Sequence, residues 1–381
     1  MDSNLCAKLG IQFPLFAFSH CRDVVVEVSK AGGMGVLGVA GLSPEQLDQE
    51  LSWIDGHVDG HPYGVDLIVP AKFEGKGKSV ADRQKVTAVP ETHSAFVRQI
   101  LEDHKIDASD LTNERFQGRT RFGDNAQDDA AKNMLDVAFA HPIALIANAL
   151  GVPPQHMIDR AKEEQIPIAA LVGTKEHALK QAKAGVDILV AAGSEAGGHC
   201  GDISTLVLVP EIVMEIEKEY GIPVLAAGGI VTGRQMAACM SMGAAGAWTG
   251  SVWLTTAEAE TSEVIKEKLL VATSRDTIRS KSRTGKYSRQ LKSSWTDAWE
   301  EEDAPKPLPM PHQFGLTERA MRKINKLADS GHAGAQELST YWVGQGVGMM
   351  NSNQSAKSVV YEFMEDFLNA RDVLNKFMTD E

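Results

Sequence analysis

The stretch "LAAGGIVTGRQ", Leu225 to Gln235, decides between two ways of building an α/β protein. It reads as a short apolar run, a glycine pair and a helix start near Thr232–Gly233. Glycines after a strand let backbone N–H groups point outward, and a helix start adds unpaired donors, so the turn suits a phosphate dianion. In a doubly wound open sheet the glycine-rich turn follows the first strand. Here it follows a late one. In a TIM barrel the ends of strands seven and eight usually form the phosphate site.

Working outward, the chain holds eight short β-rich runs: "FPLFAFS", "MGVLGVA", "YGVDLIVP", "PIALIANA", "IPIAALVG", "VDILVAAG", "IPVLAAGG" and "AGAWTGSVWL". Each is followed by a segment that can form a helix, the last by "AEAETSEVIKEKLLVA". Continuous apolar runs read as strands buried on both faces. Eight β-then-α units in series predict a TIM (β/α)8 barrel, with the doubly wound sheet as the weaker rival. Helix signals fit: Ser43 as N-cap with Pro44 and Glu45 behind it, Pro153 and Pro154 before a helix, and Thr174 opening a helix that ends at Gly185. Pro14, Pro142, Pro167 and Pro223 stand at strand starts, where a missing N–H harms the ladder least.

Two segments depart from this alternation. Ala71 to Ala140, after the third run, is too long for one barrel helix and is charge-rich, with "KFEGKGKSVADRQK" and "NERFQGRTRFGDNAQDD". It is expected to be a largely helical insertion on the C-terminal face of the barrel, either a lid or a solvated decoration. The acidic, proline-rich connector "EEEDAPKPLP", Glu300 to Pro309, leads into mainly helical sequence. The expected division is a barrel over 1–299, insertion included, and a C-terminal helical extension over 300–381. The glycines of "YWVGQGVGMMN" in that extension point to a loop packed close to something.

The net charge of −13 argues against a nucleic-acid surface, because phosphates need a basic face. No apolar run approaches the ~20 residues needed to cross a bilayer. The start "MDSNLCAKLG" has no secretory pattern, so a cytoplasmic location is expected. Cys6, Cys21, Cys200 and Cys239 form no CxxC pair, so neither a disulfide framework nor a metal site is expected. The expected partner is a small-molecule substrate, with no nucleic acid and no membrane. A homodimer is compatible with the sequence.

The sixth run ends in "GSEAGGHCGD". Gly197 and Gly198 would let a planar ring approach the backbone. His199 stands in this glycine loop at a strand end, where barrel side chains project into the active site. Its ordinary pKa near 6.5 suits acid–base work. Glu195 either orients the loop or is simply exposed. Gly228 with Gly229, and Gly250 with Ser251, form two glycine sites on adjacent final strands.

"GSEAGGHCGD", "PVLAAGGIVTGRQMAACMSMGAAGAWTGSVWL" and "VSKAGGMGVLG" resemble the nitronate monooxygenase family, formerly 2-nitropropane dioxygenases. That family consists of FMN-dependent TIM-barrel flavoenzymes and includes NADH:quinone reductases and flavin-type enoyl-ACP reductases. The resemblance runs from about Leu9 to about Arg289, without the insertion. "TGKYSR" fits the segment that closes the barrel, and "VGQGVG" resembles the C-terminal pattern. It implies that His199 is the active-site histidine, placed to handle the substrate's acidic α-proton. It implies that Gly228, Gly229, Gly250 and Ser251 cradle the FMN phosphate, that the backbone of Ala17 and Phe18 lies along the flavin, and that Asp66 occupies the third-strand position.

The chain departs from the family's pattern around the ring. Asp66 stands where Asn is usual, Ala192 where Gln is frequent, "AFSH" where "APM" is usual, and Cys200 where Arg is frequent. A carboxylate close to a reduced, anionic flavin is unfavourable unless paired or protonated. Three functions follow. The first is FMN-dependent oxidation of alkyl nitronates with dioxygen. The second is reduction of a quinone or activated enoyl substrate by an NAD(P)H-dependent flavoenzyme. The third is a flavin-free barrel that binds a phosphorylated metabolite.

Overall fold

The computed structural model describes residues 4–69, 89–111 and 128–378. Eight parallel strands close into a barrel: β1 Leu15–Ser19, β2 Met34–Gly38, β3 Tyr63–Leu67, β4 Leu145–Asn148, β5 Ile168–Val172, β6 Ile188–Ala192, β8 Val224–Ala227 and β9 Gly246–Thr249. Each falls within one of the eight apolar runs. The short strand β7, Gly198–His199, lies outside the barrel. Closure comes from β9 pairing with β1, through Leu15↔Ala247 and Phe16↔Trp248. The eighth run overshoots its strand, because Ser251–Thr255 turns into a 3₁₀ helix.

Alternation along the strands sorts the side chains. Phe16, Met34, Val36, Ala147, Val190 and Trp248 pack together in the barrel interior. Tyr63, Val65 and Leu67 pack outward among helix residues such as Leu47 and Leu51, which leaves Gly64 and Asp66 of β3 facing the barrel axis. Leu5, Cys6 and Leu9 of the helix Asn4–Leu9 join the interior cluster. That helix precedes β1, so it plugs the end where the strands begin.

The helix signals act as the residue types dictate. Ser43 caps Pro44–His57 in a capping box with Gln46, and Thr174 caps Lys175–Ala184, which ends at Gly185 with φ 93°. Pro154 is the N-cap of Gln155–Glu163. Thr232 and Gln235 form the capping box of Gly233–Ser241.

Of the expected insertion, residues 70–88 and 112–127 lie outside the described residues, and with them both quoted charge-rich stretches apart from Asp128 and Asp129. Glu91–Asp103 is helical and buries Val97, Ile100 and Leu101 against Trp295, Leu316 and Ile324. Asp128–Phe139 is a barrel-layer helix, for Met134, Leu135 and Ala138 share the cluster of Leu47, Val65 and Ile146. The stretch read as ending at Ala140 thus takes in a helix of the barrel's own outer layer. Its apolar face, Ala131, Met134, Leu135 and Ala138, is short and easily lost among polar neighbours.

Beyond β9, strands β10 Thr277–Ser280 and β11 Ser288–Leu291 form an antiparallel sheet with β7, in the order β10-β11-β7. "TGKYSR" forms the turn and start of β11. It therefore does not close the barrel, as the resemblance implied, but braces the loop after β6. The long helix Ala356–Met378 lies against Gly233–Ser241. A Cβ on Gly233 would overlap the Phe363 carbonyl oxygen, so only glycine permits that approach.

Candidate active site

The loops after β6, β8 and β9 meet at the open end of the barrel. After β6, the Glu195 carboxylate accepts hydrogen bonds from the Thr205 N–H (2.9 Å) and hydroxyl (3.0 Å), which ties the glycine loop to the start of helix Thr205–Tyr220. Of the two readings of Glu195, the structure takes the orienting one. After β8, Gly228 and Gly229 adopt φ 108° and 71°, a conformation L side chains rarely take. A Cβ on Gly228 would lie 2.7 Å from the Thr205 hydroxyl. After β9, the Ser251 hydroxyl oxygen accepts from Gly344 N–H at 2.8 Å.

The segment Val343–Met349 clamps these loops. Gln345 N–H donates to the Glu195 carbonyl at 2.9 Å. A Cβ on Gly344 would stand 2.6 Å from that carbonyl, and one on Gly346 would stand 2.7 Å from the Gly229 carbonyl. These glycines are the close packing that "VGQGVG" promised. The same contacts revise the reading of Gly197: Gly344 N and Val343 C lie 2.8 Å from where its Cβ would be, so its bareness admits the C-terminal backbone. Gly198 differs. Its φ is 74°, and open space surrounds its Cα.

His199 sits on β7, with Ser288 as its partner on β11. Its Nε2 lies 2.9 Å from Thr284 Oγ1, and that hydroxyl donates to the Lys286 carbonyl at 3.1 Å. With the hydroxyl proton so used, Nε2–H is the donor and Nδ1 is the basic nitrogen. Crowding by protein atoms and the Lys286 charge push its pKa down to about 4. By surface area the same residue is exposed. Both hold for a side chain at the bottom of an open cleft, surrounded by protein yet reached by water.

The opposite side of the mouth is formed by β1, β2 and β3. Ala17 is buried and turns its methyl outward among the helices. The Phe18 ring turns inward, edge-on to His20 with centroids 5.1 Å apart. Gly38 makes room for both: a Cβ there would meet Phe18 at 2.6 Å and His20 at 2.9 Å. Phe18 also reaches towards β9, with Cδ1 3.9 Å from the Cβ position of Gly250. His20 Nδ1–H donates to the Gly38 carbonyl at 2.7 Å, so Nε2 carries the lone pair. Crowding holds its pKa below the ordinary histidine value, and the residue is exposed in the same cleft-bottom manner. Asp66, opposite Gly38 on β3, is 3% exposed, and burial pushes its carboxyl up to about 8.

The donors fit an FMN phosphate. Gly229 and Ile230 N–H, and Ser251 and Val252 N–H at the start of the 3₁₀ helix, have no acceptor among the described residues. β8 and β9 are adjacent, so the two groups face one neighbourhood.

The nitronate monooxygenase family model matches residues 3–366. The chain belongs to the nitronate monooxygenase family. The match covers more than the Leu9–Arg289 span that the motifs carried, and it takes in the insertion and most of the extension. A Mycobacterium tuberculosis protein named as a monooxygenase, Rv1533, is 47% identical over 370 residues, covering 97% of each chain. A Staphylococcus saprophyticus protein named as a nitronate monooxygenase is 28% identical, covering 91% of this chain and 92% of its own. Among solved structures, nitroalkane oxidase from Streptomyces ansochromogenes superposes with a TM-score of 0.77 at 22% identity, over 98% of this chain and all of that one. FabK from Thermotoga maritima gives 0.69 at 22%, over 99% of each. Membership of this family supports an oxidoreductase function. Among the described residues, no helix is long and apolar enough to cross a membrane.

Four residues of the site were not singled out from the sequence. Thr205 bonds Glu195, and Thr284 holds His199. Arg289 donates from Nε to the Ser194 carbonyl at 2.9 Å and so pins the loop to the small sheet. His20 was visible only as the last letter of "AFSH". No spacing rule links these positions to His199. Thr284 and Arg289 reach the loop through the sheet β10-β11-β7, whose strands are too short and polar to announce themselves.

Proposed function

We propose that this family member is an FMN-dependent oxidoreductase that oxidises alkyl nitronates with dioxygen, with His199 as its acid–base residue. The observation that carries the reading is the neutral His199, held by Thr284 in the loop that the C-terminal segment clamps to the two glycine turns. FMN, when bound, supplies the electron transfer from substrate carbon to dioxygen. Gly228, Gly229, Gly250 and Ser251 would hold its phosphate, and Ala17, Phe18, Asp66, Gly197 and Gly198 lie on the elements that would border its ring. Nδ1 of His199 takes the acidic α-proton of a neutral nitroalkane, and Thr284 keeps the ring from turning. Residues 300–381 form an extension docked on the barrel.

A second reading, reduction by NAD(P)H, is favoured by one feature. Arg279 and Lys281 flank the Tyr287 ring, at 5.1 and 4.7 Å from its centroid, on the sheet that carries His199. Arg279 Nε is buried with no hydrogen-bond partner among the described residues. A basic, aromatic face on an acidic chain suits an anionic dinucleotide. Anaerobic mixing of the purified protein with a nitroalkane, its nitronate, NADH and NADPH in turn separates the readings. Bleaching of the flavin by the nitro compounds alone supports the first, and bleaching by NADH or NADPH the second. A protein that carries and binds no flavin is the phosphometabolite barrel.

A further inference from the structure

Asp66 is the barrel-interior side chain that the fold explains least. It faces the axis from β3, opposite Gly38 on β2 and Ala147 on β4. One residue later the strand ends, so its carboxyl lies in the uppermost interior layer, beside the Phe18 and His20 rings that cover Gly38. Oδ1 is sealed from water and has no hydrogen-bond partner among the described residues. Gly38 and Ala147, its partners on the neighbouring strands, carry no charge, and His20, against Gly38, is neutral. No charged group counts among the causes of its raised pKa, which are burial opposed by one backbone N–H, that of Ala149.

A carboxyl here works against the fold. Its folded-state pKa of about 8 stands above the ordinary carboxyl value of 3.8, so the stability supplied by the protonated form is complete below pH 3.8 and is lost as pH rises towards about 8. Asparagine has nearly the same shape and carries no such penalty. Positions that break a folding rule in this way are expected where function requires them.

We propose that Asp66 is kept as the neutral acid so that its O–H donates a hydrogen bond to the FMN ring system, which couples FMN affinity to one proton. This inference rests on the FMN reading above. Ring carbonyls and ring nitrogens are acceptors, which a neutral carboxyl can serve and a carboxylate cannot. Loss of the proton would remove the donor and place a negative charge beside an electron-rich ring in a site of low dielectric.

The test is titration of the full-length, flavin-stripped protein with FMN, followed by quenching of flavin fluorescence, from pH about 7 to about 9.5, where the FMN phosphate is a dianion. Wild type is expected to bind most tightly at pH about 7 and to weaken above pH about 8, approaching about tenfold per pH unit. Asp66→Asn keeps a neutral donor, so its affinity should stay flat and match wild type at pH about 7. Asp66→Ala should bind about 5- to 100-fold more weakly than Asp66→Asn at every pH, with an equally flat profile. A thermal melt of each variant, with Asp66→Asn expected to melt highest at neutral pH, shows that folding is intact. If Asp66→Ala does not fold, wild type against Asp66→Asn decides. Identical pH profiles for those two would overturn the inference while leaving the FMN reading intact. A wild-type protein that binds no FMN at any pH would overturn both.

Discussion

The two sides of the barrel mouth are built on opposite principles. On the β6, β8 and β9 side the fitting is done by backbone. Gly197, Gly228, Gly344 and Gly346 are bare because another chain segment or hydroxyl occupies the space of a side chain, and the hydrogen bonds run from N–H groups to Glu195 and Ser251. On the β1–β3 side the fitting is done by side chains whose charge burial has suppressed: a neutral imidazole at His20 and a carboxyl at Asp66 with an unpaired oxygen. The first side fixes position. The second sets the protonation state of the surface that a ligand meets.

The contrast breaks most sharply at His199, which stands at the edge of the positional side and which the proposed function makes the acid–base residue. His199→Asn should keep near-normal FMN content while the rate on a neutral nitroalkane falls about 10²–10⁴-fold. The loss on the preformed nitronate should be smaller, because proton abstraction is bypassed. Lost flavin with normal turnover after reconstitution would make His199 a structural residue. A pH profile sharpens the point. With a pKa of about 4, His199 is in its base form across the neutral range, so kcat/KM for the nitroalkane should fall only as pH drops towards 4. A fall centred near the ordinary histidine value would show that its surroundings do not suppress its charge.

Smaller effects are expected from the glycines. Gly344→Ala drives a Cβ to 2.6 Å from the Glu195 carbonyl oxygen, so chemical denaturation should show a loss of about 1–3 kcal/mol together with weaker FMN binding. Gly198→Ala meets no protein atom and suffers only its φ of 74°, so the stability loss should be about 1 kcal/mol. Equal losses of stability would dissolve the distinction between the clamped and the open glycine.

The barrel was legible because its strands are continuous apolar runs and its helices carry caps such as Ser43, Thr174 and Thr232. The glycine turns at Gly228 and Gly250 were legible for the same local reason. What stayed hidden depends on distant pairings. β7 is two residues long, and only its partner strand gives it meaning. Gly197 looked like room for a ring until Val343, 146 positions later, filled it. The helix Glu91–Asp103 packs on Trp295 and Leu316, a long-range contact that local composition does not encode.

The central claim, that the turns after β8 and β9 hold the phosphate of FMN, is tested most directly by comparing FMN affinity in wild type, Gly229→Ala and Gly229→Asp. Both variants carry the strain of φ 71° and a Cβ 3.0 Å from Glu195 Cβ, so their difference isolates the added charge. The account predicts one FMN per wild-type chain, modest weakening in Gly229→Ala and at least about 100-fold further loss in Gly229→Asp. A folded Gly229→Asp protein with full flavin content and the affinity of Gly229→Ala would contradict it.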